Sequence, residues 1–255
     1  MGYIDFHCHL DSNEFSDNRD LLVDDIFKSG VSKIITVADP YEKDSHRITM
    51  EVAKLNKNIS IMTAAHPHNA DLYSPEIEKK ILDFCDNPGV IGVGEAGLDY
   101  YYNLSKPDNQ INVFKRQISL AKELGLPLII HSRNAEKDVL SSLEDLSFEN
   151  PVVFHCYTGN MEDAMEIISR GYYISFSGII TFKKAEYLRD IVKITPSEQL
   201  FTETDSPYLS PEPFRGKVNN PSRVKYVADR VAEIKNININ ILNKTIDNNL
   251  IKLKT

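Results

Sequence analysis

The chain has 255 residues, 42% of them hydrophobic, and a formal net charge of −8. That length suits one large domain, and the apolar fraction allows a sizeable core. The acidic balance argues against a protein that coats duplex nucleic acid through a basic surface, although a local site could still take a single phosphate or a strand end.

No uninterrupted apolar run approaches the length of a membrane span. Met1-Gly2-Tyr3-Ile4-Asp5 meets charge at once and does not read as a secretory leader. Cys8, Cys85 and Cys156 are odd in number and widely spaced, which gives no disulfide framework or zinc ribbon and favours a reducing cytoplasm.

Taken in chain order, short apolar runs predict strands near residues 3–7, 33–37, 60–65, 90–94, 127–131, 152–155, 172–176 and 199–204. Glycine or proline breaks precede several of them, as in Ser29-Gly30, Asn87-Pro88-Gly89, Leu124-Gly125 and Arg170-Gly171. Between the strands lie segments of helical period. Ser74-Pro75 caps one that carries Ile77, Ile81, Leu82 and Cys85. Ile111, Phe114, Ile118, Ala121 and Leu124 form a clear stripe, and Ser222 is expected to cap a helix with Val224, Val227, Val231 and Ile234 on one face. Leu242, Ile246, Leu250 and Leu253 predict a closing helix. Eight strand–helix units without a linker favour a single (β/α)₈ barrel over residues 1–255, whose functional residues should gather at the C-terminal ends of the strands.

They do gather there. Asp5-Phe6-His7-Cys8-His9 ends the first strand, where alternation sends His7 and His9 the same way, with Asp5 behind them and Cys8 turned into packing. A lone His-x-His fits a metal site and a pair of loop histidines equally well. Glu95, His131, His155 and Asp205, however, each follow a different apolar run. Two imidazole-rich pockets sharing a carboxylate suit borderline divalent metals such as zinc or manganese.

Gly92-Val93-Gly94-Glu95-Ala96-Gly97 satisfies G-x-G-x-x-G, but Leu98-Asp99-Tyr100-Tyr101-Tyr102-Asn103 reads as an aromatic loop rather than the helix a dinucleotide site requires. That loop offers either base stacking or a hydrophobic lid. No G-x-S-x-G elbow is present. His46, in a polar helical stretch, is expected to be solvated, as are the like-charged pairs Asp24-Asp25 and Lys183-Lys184.

His7-Cys8-His9-Leu10-Asp11, Gly94-Glu95-Ala96-Gly97-Leu98-Asp99-Tyr100, His131-Ser132-Arg133, His155-Cys156-Tyr157-Thr158-Gly159 and Glu203-Thr204-Asp205-Ser206-Pro207-Tyr208-Leu209 resemble the motifs of the TatD family of metal-dependent deoxyribonucleases. Pro213-Phe214-Arg215-Gly216-Lys217 and Asn220-Pro221 extend the likeness, while the last twenty residues match loosely. The resemblance implies a barrel of the amidohydrolase superfamily that uses two divalent ions (zinc, magnesium or manganese) to hydrolyse phosphodiesters of DNA, single-stranded or at strand ends.

Carried over by position, His7, His9 and Asp205 would hold one ion, His131 and His155 the second, and Glu95 would bridge both. Asp205 would also take the nucleophile's proton. His66, within Ala65-His66-Pro67-His68, and Glu203 would stand behind the ligands or toward substrate. Arg133 would either fork onto phosphate or make a surface ion pair, and Arg215 and Lys217 are weaker phosphate candidates. A site of this kind also suits amides, phosphotriesters and carboxylic esters such as aminoacyl-tRNA. Loss of a ligand would indicate a non-catalytic scaffold, but all six residues are present. Neither a membrane nor an obligate protein partner is expected.

Overall fold

Each apolar run is followed by a segment with one apolar face, so strand and helix alternate and each helix can cover the sheet beside it. A computed structural model describes residues 2–254. Its strands are β1 (Tyr3–Cys8), β2 (Val31–Ala38), β3 (Ile59–Thr63), β4 (Val90–Asp99), β5 (Leu128–Arg133), β6 (Val152–Phe154), β7 (Tyr173–Phe176) and β8 (Leu200–Thr202). The helices are α1 (Arg19–Lys28), α2 (Ser45–Leu55), α3 (Pro75–Cys85), α4 (Pro107–Leu124), α5 (Glu136–Asp145), α6 (Met161–Ser169), α7 (Glu186–Ile194), α8 (Val224–Lys235) and α9 (Ile239–Leu253).

The strands pair in parallel and in chain order in one eight-stranded sheet. Beyond β8 the chain meets β1 again through a Cys8–Ser206 bridge. There the Asp205 N–H donates to the His7 carbonyl at 2.9 Å, and the His9 N–H donates to that of Ser206 at 2.8 Å. The fold is the expected (β/α)₈ barrel, and its closing seam lies beside three of the candidate ligands. Strand side chains and the inner faces of the helices merge in the main core, where Phe6 and Phe201 stack at 4.1 Å.

Local sequence sets the ends of the helices. Gly125, at φ +66, turns the chain out of α4 while the Leu126 N–H caps the Ala121 carbonyl. Ser74 caps α3 through the Ile77 N–H. Ser222 does not cap α8 as expected. The Asn220 carboxamide accepts from the Ser222 N–H instead and starts a 3₁₀ turn, Pro221–Arg223, that runs into the helix.

A further correction concerns β4, which continues through Leu98 and Asp99 rather than ending near Gly94. Its glycines let it lie hard against β5. A Cβ at Gly94 would come 2.6 Å from Ile129 Cβ, and one at Gly97, where φ is +150, would run into the His131 carbonyl oxygen. The glycine pattern is therefore a device of strand packing. It also carries Glu95, Gly97 and Asp99 along one face of the strand.

His46 is the other departure. Its Nε2 lies 3.0 Å from Thr63 Oγ1, and its ring stacks on Phe84 at 4.1 Å, so it packs between α2, β3 and α3 instead of facing solvent. Cys8 and Cys156 are buried as packing residues, with Sγ against the Ile35 carbonyl and Ser177 Oγ respectively.

Candidate metal centre

The ends of β1, β5 and β6, the middle of β4 and the turn after β8 deliver six side chains to one place. His7 and His9 share a face of the chain leaving β1, and Glu95 comes from the middle of the long β4. His131 lies in β5, and His155 follows β6 directly. Asp205 sits in a left-handed turn, φ +53, an uncommon conformation for a residue with a side chain and one often found at functional sites.

Glu95 stands at the centre, with one oxygen toward each side. Its Oε2 lies 3.5 Å from His7 Nε2 and 4.0 Å from His9 Nε2. Its Oε1 lies 2.9 Å from His131 Nδ1 and 2.7 Å from His155 Nε2. Asp205 Oδ1 completes the first side, 3.5 Å from His9 Nε2 and 3.9 Å from His7 Nε2. Two donors each about 2.1 Å from one zinc ion and at a tetrahedral angle stand about 3.4 Å apart, close to the 3.5 Å of the His7–Glu95 and His9–Asp205 pairs on the first side.

The donors also fit a cation by what they lack. His7 is fully buried, yet neither of its ring nitrogens has a hydrogen-bond partner. Leaving such a group unsatisfied costs about 1–3 kcal/mol, and a divalent ion would satisfy Nε2. Glu203, also fully buried, places Oε1 3.3 Å from His155 Nδ1 and leaves Oε2 without a partner.

The charges support one another. Burial pushes the Glu95 carboxyl up, but His155, His66 and His131 outweigh it and hold the group well below its usual range. Burial likewise opposes protonation of His155, yet Glu95 and Glu203 carry it well above the ordinary imidazole value. For His9, burial is outweighed by Asp205 and Glu95, to about 9. Asp205 is lowered despite its burial, chiefly by His9 and His7. His7 and His66 go the other way: burial and neighbouring imidazoles lower both, His66 to about 4. Asp5 lies behind the cluster, where it accepts from the Thr204 N–H at 2.7 Å and the Thr204 hydroxyl at 2.6 Å and pins the end of β8.

The outer residues are placed as follows. His66 Nε2 faces Glu95 Oε1 at 3.4 Å. Arg133 makes no ion pair among the described residues; it donates to Thr158 Oγ1 at 3.2 Å and lies 5.8 Å over the Tyr101 ring. Arg215 lies 3.8 Å over Phe182. Tyr100 is tied to Asp138 at 2.8 Å, while Tyr101 and Tyr102 project into solvent.

One residue was missed by sequence reasoning. Asp99, fully buried, faces His131 Nε2 at 3.0 Å and His68 Nε2 at 2.8 Å. The even spacing from Glu95 to Asp99 was the available signal, hidden by reading the second half of β4 as a loop.

A barrel that gathers histidines and carboxylates at its strand ends defines a class of metal-dependent hydrolases. The family model described as TatD related DNase matches residues 4–254, and the chain belongs to the TatD family of metal-dependent hydrolases. It is 37% identical over 232 residues to the uncharacterized metal-dependent hydrolase YabD of Bacillus subtilis (strain 168), covering 91% of this chain and 90% of the relative. To the uncharacterized metal-dependent hydrolase YcfH of Escherichia coli (strain K12) it is 35% identical over 260 residues, covering 99% and 96%. The crystal structure of YJJV, a TatD homologue from Escherichia coli K12, superposes with a TM-score of 0.92 at 26% identity, over 99% of this chain and 97% of that one. Among the described residues no helix is long and apolar enough to cross a membrane.

Proposed function

We propose that this hydrolase cleaves phosphodiester bonds of DNA from single-stranded ends, using two divalent ions of the zinc, manganese or magnesium type. One observation carries the two-ion reading: Glu95 turns Oε2 to His7 and His9 and Oε1 to His131 and His155. In this reading His7, His9 and Asp205 hold one ion, His131 and His155 the other, and Glu95 touches both. Such ions supply a water acidic enough to ionise near neutral pH and positive charge against an ester oxygen.

The remaining steps belong to the side chains. Asp205 is held ionised, so its carboxylate can accept the attacking water's proton. The Nδ1 of His66 accepts the His68 N–H at 3.2 Å, which leaves the proton of the neutral ring on Nε2, facing the cluster. In this reading that N–H, which faces Glu95 Oε1 at 3.4 Å, would turn to donate to a phosphoryl oxygen. Arg133, free of any carboxylate, offers a planar fork to the next phosphate.

A polynucleotide is favoured by the exposed rings on both flanks. Tyr208 lies edge-on to His9 at 6.1 Å and Tyr102 edge-on to His68 at 5.6 Å, where bases can stack whatever their sequence.

The test is turnover of single-stranded DNA, aminoacyl-tRNA and bis(4-nitrophenyl) phosphate by metal-loaded, chelated and reconstituted protein. DNA should be cleaved, cleavage should stop with chelator, and it should return with added divalent ion. Glu95→Ala should lose roughly 10³-fold or more, as when one member of a concerted site is removed. Intact DNA alongside a cleaved acyl ester would sink the nuclease reading, and full activity of Glu95→Ala would sink the bridging role.

A further inference from the structure

We propose that Asp99 is the positioning residue of the half-site formed by Glu95, His131 and His155, fixing which nitrogen His131 presents to an ion. The inference rests on the two-ion reading above and concerns one residue that the reading does not use.

Asp99 is fully buried, and both of its carboxylate oxygens are occupied. Oδ1 accepts the Tyr101 N–H at 3.0 Å and the Tyr102 N–H at 2.8 Å. Oδ2 faces His68 Nε2 at 2.8 Å and His131 Nε2 at 3.0 Å. An ionised carboxylate can only accept, so both imidazoles turn an N–H toward it. Glu95 Oε1, 2.9 Å from His131 Nδ1, is an acceptor too, so an ion bound there would take the place of the Nδ1 proton while Asp99 keeps the other proton on Nε2. His155 is arranged in the same way, with Nε2 toward Glu95 and Nδ1 toward the buried Glu203. Each imidazole of this half-site is therefore backed by a carboxylate. His7, on the other side, has no partner at Nδ1.

The cluster of His66, His68 and His131 is close enough to be mistaken for a third cation site. Its hydrogen bonds assign it otherwise. The Nε2 atoms of His68 and His131 are directed at Asp99, and His66 Nδ1 takes a backbone N–H. His68 and His131 flank Asp99 while His66 faces Glu95, so the three rings do not converge on one centre.

Asp99→Asn separates orientation from folding. The Asn carbonyl keeps the acceptor for the Tyr101 and Tyr102 amides, while its NH₂ meets His131 Nε2 with a donor and drives the ring's proton to Nδ1. Zinc titration against a chelating dye should then show one of two ions weakened about 10–100-fold, the scale of losing such a partner, with the other unchanged. Imidazole ¹⁵N shifts of the zinc-loaded protein should place the His131 proton on Nε2 in the wild type and not in the variant. His68→Gln, which keeps an N–H for Asp99, should retain both ions.

Wild-type affinity for both ions in folded Asp99→Asn would overturn the proposal. So would equal weakening of both, or a third ion in the wild type that the variant loses. If the wild type itself binds fewer than two ions, the two-ion reading fails first.

Discussion

Two histidines, one half-buried and one fully buried, separate a packed imidazole from one without a partner. His46 has its nitrogen on Thr63 Oγ1 and its ring on Phe84, so its polar demand is met within the fold. His7 is more deeply buried and has no such partner among the described residues. For His46 the consequence is a pH dependence whose sign is fixed. Burial, reinforced by Lys80, lowers its pKa from 6.5 to about 4, so the folded ring stays neutral where the unfolded one takes a proton. Its contribution is therefore complete above the unfolded value and is lost as pH falls from 6.5 toward 4. The ring is partly exposed, so solvent reduces the effect to on the order of 1–2 kcal/mol. Denaturant unfolding at about pH 7.5 and about pH 5 should show His46→Gln losing less stability between the two than the wild type. An equal loss in both proteins would mean that His46 titrates normally. The sequence hid this residue because Lys43, Asp44 and Arg47 surround it, although the inward spacing of Ser45, Thr49 and Val52 marks the buried side of the helix.

At the scale of elements, the apolar runs that end in histidine were legible because a strand buried on both faces must be apolar until it reaches the site. All eight were placed from that pattern, and with them His7, His131 and His155. The long fourth strand was only half legible. Glycine and acidic residues in Gly94–Asp99 look like loop chemistry, yet here the glycines allow close approach to β5 and Glu95 and Asp99 both face His131. Gly97→Ala tests this. The residue would sit at φ +150 with its Cβ against the His131 carbonyl, a conformation that costs about 1–3 kcal/mol before any clash is counted. For a domain of this size each kcal/mol lowers Tm by about 2–4 °C. Melting should therefore fall by several degrees, and turnover should fall further because the displaced strand carries His131. An unchanged Tm would show that β4 and β5 have room between them.

For the whole molecule, the barrel reconciles the proposed nuclease activity with an acidic chain. A net charge of −8 cannot supply the broad counterion release of a protein that wraps nucleic acid. Closing the sheet instead brings the ligands to one mouth, where we expect the proposed ions, Arg133 at the end of β5, and Arg215 and Lys217 in the loop between β8 and α8 to supply the attraction. Sequence patterning exposed this closure, since eight strand–helix units leave few alternatives. It could not expose the substrate, because loops that set specificity follow no period. Salt dependence reads the difference. Each phosphate contact on a single strand contributes about 0.7 to the slope of log affinity against log salt, so three side chains allow a slope near −2. Measured as kcat/KM for an oligothymidylate at fixed metal concentration, the slope should stay near that value, and Arg133→Ala should reduce it by about 0.7. A slope steeper than about −5 would require a basic track along the strand, which a net charge of −8 argues against. A slope of zero would mean that phosphates beyond the reacting one are not gripped, and the substrate would then be a small ester that fits inside the mouth.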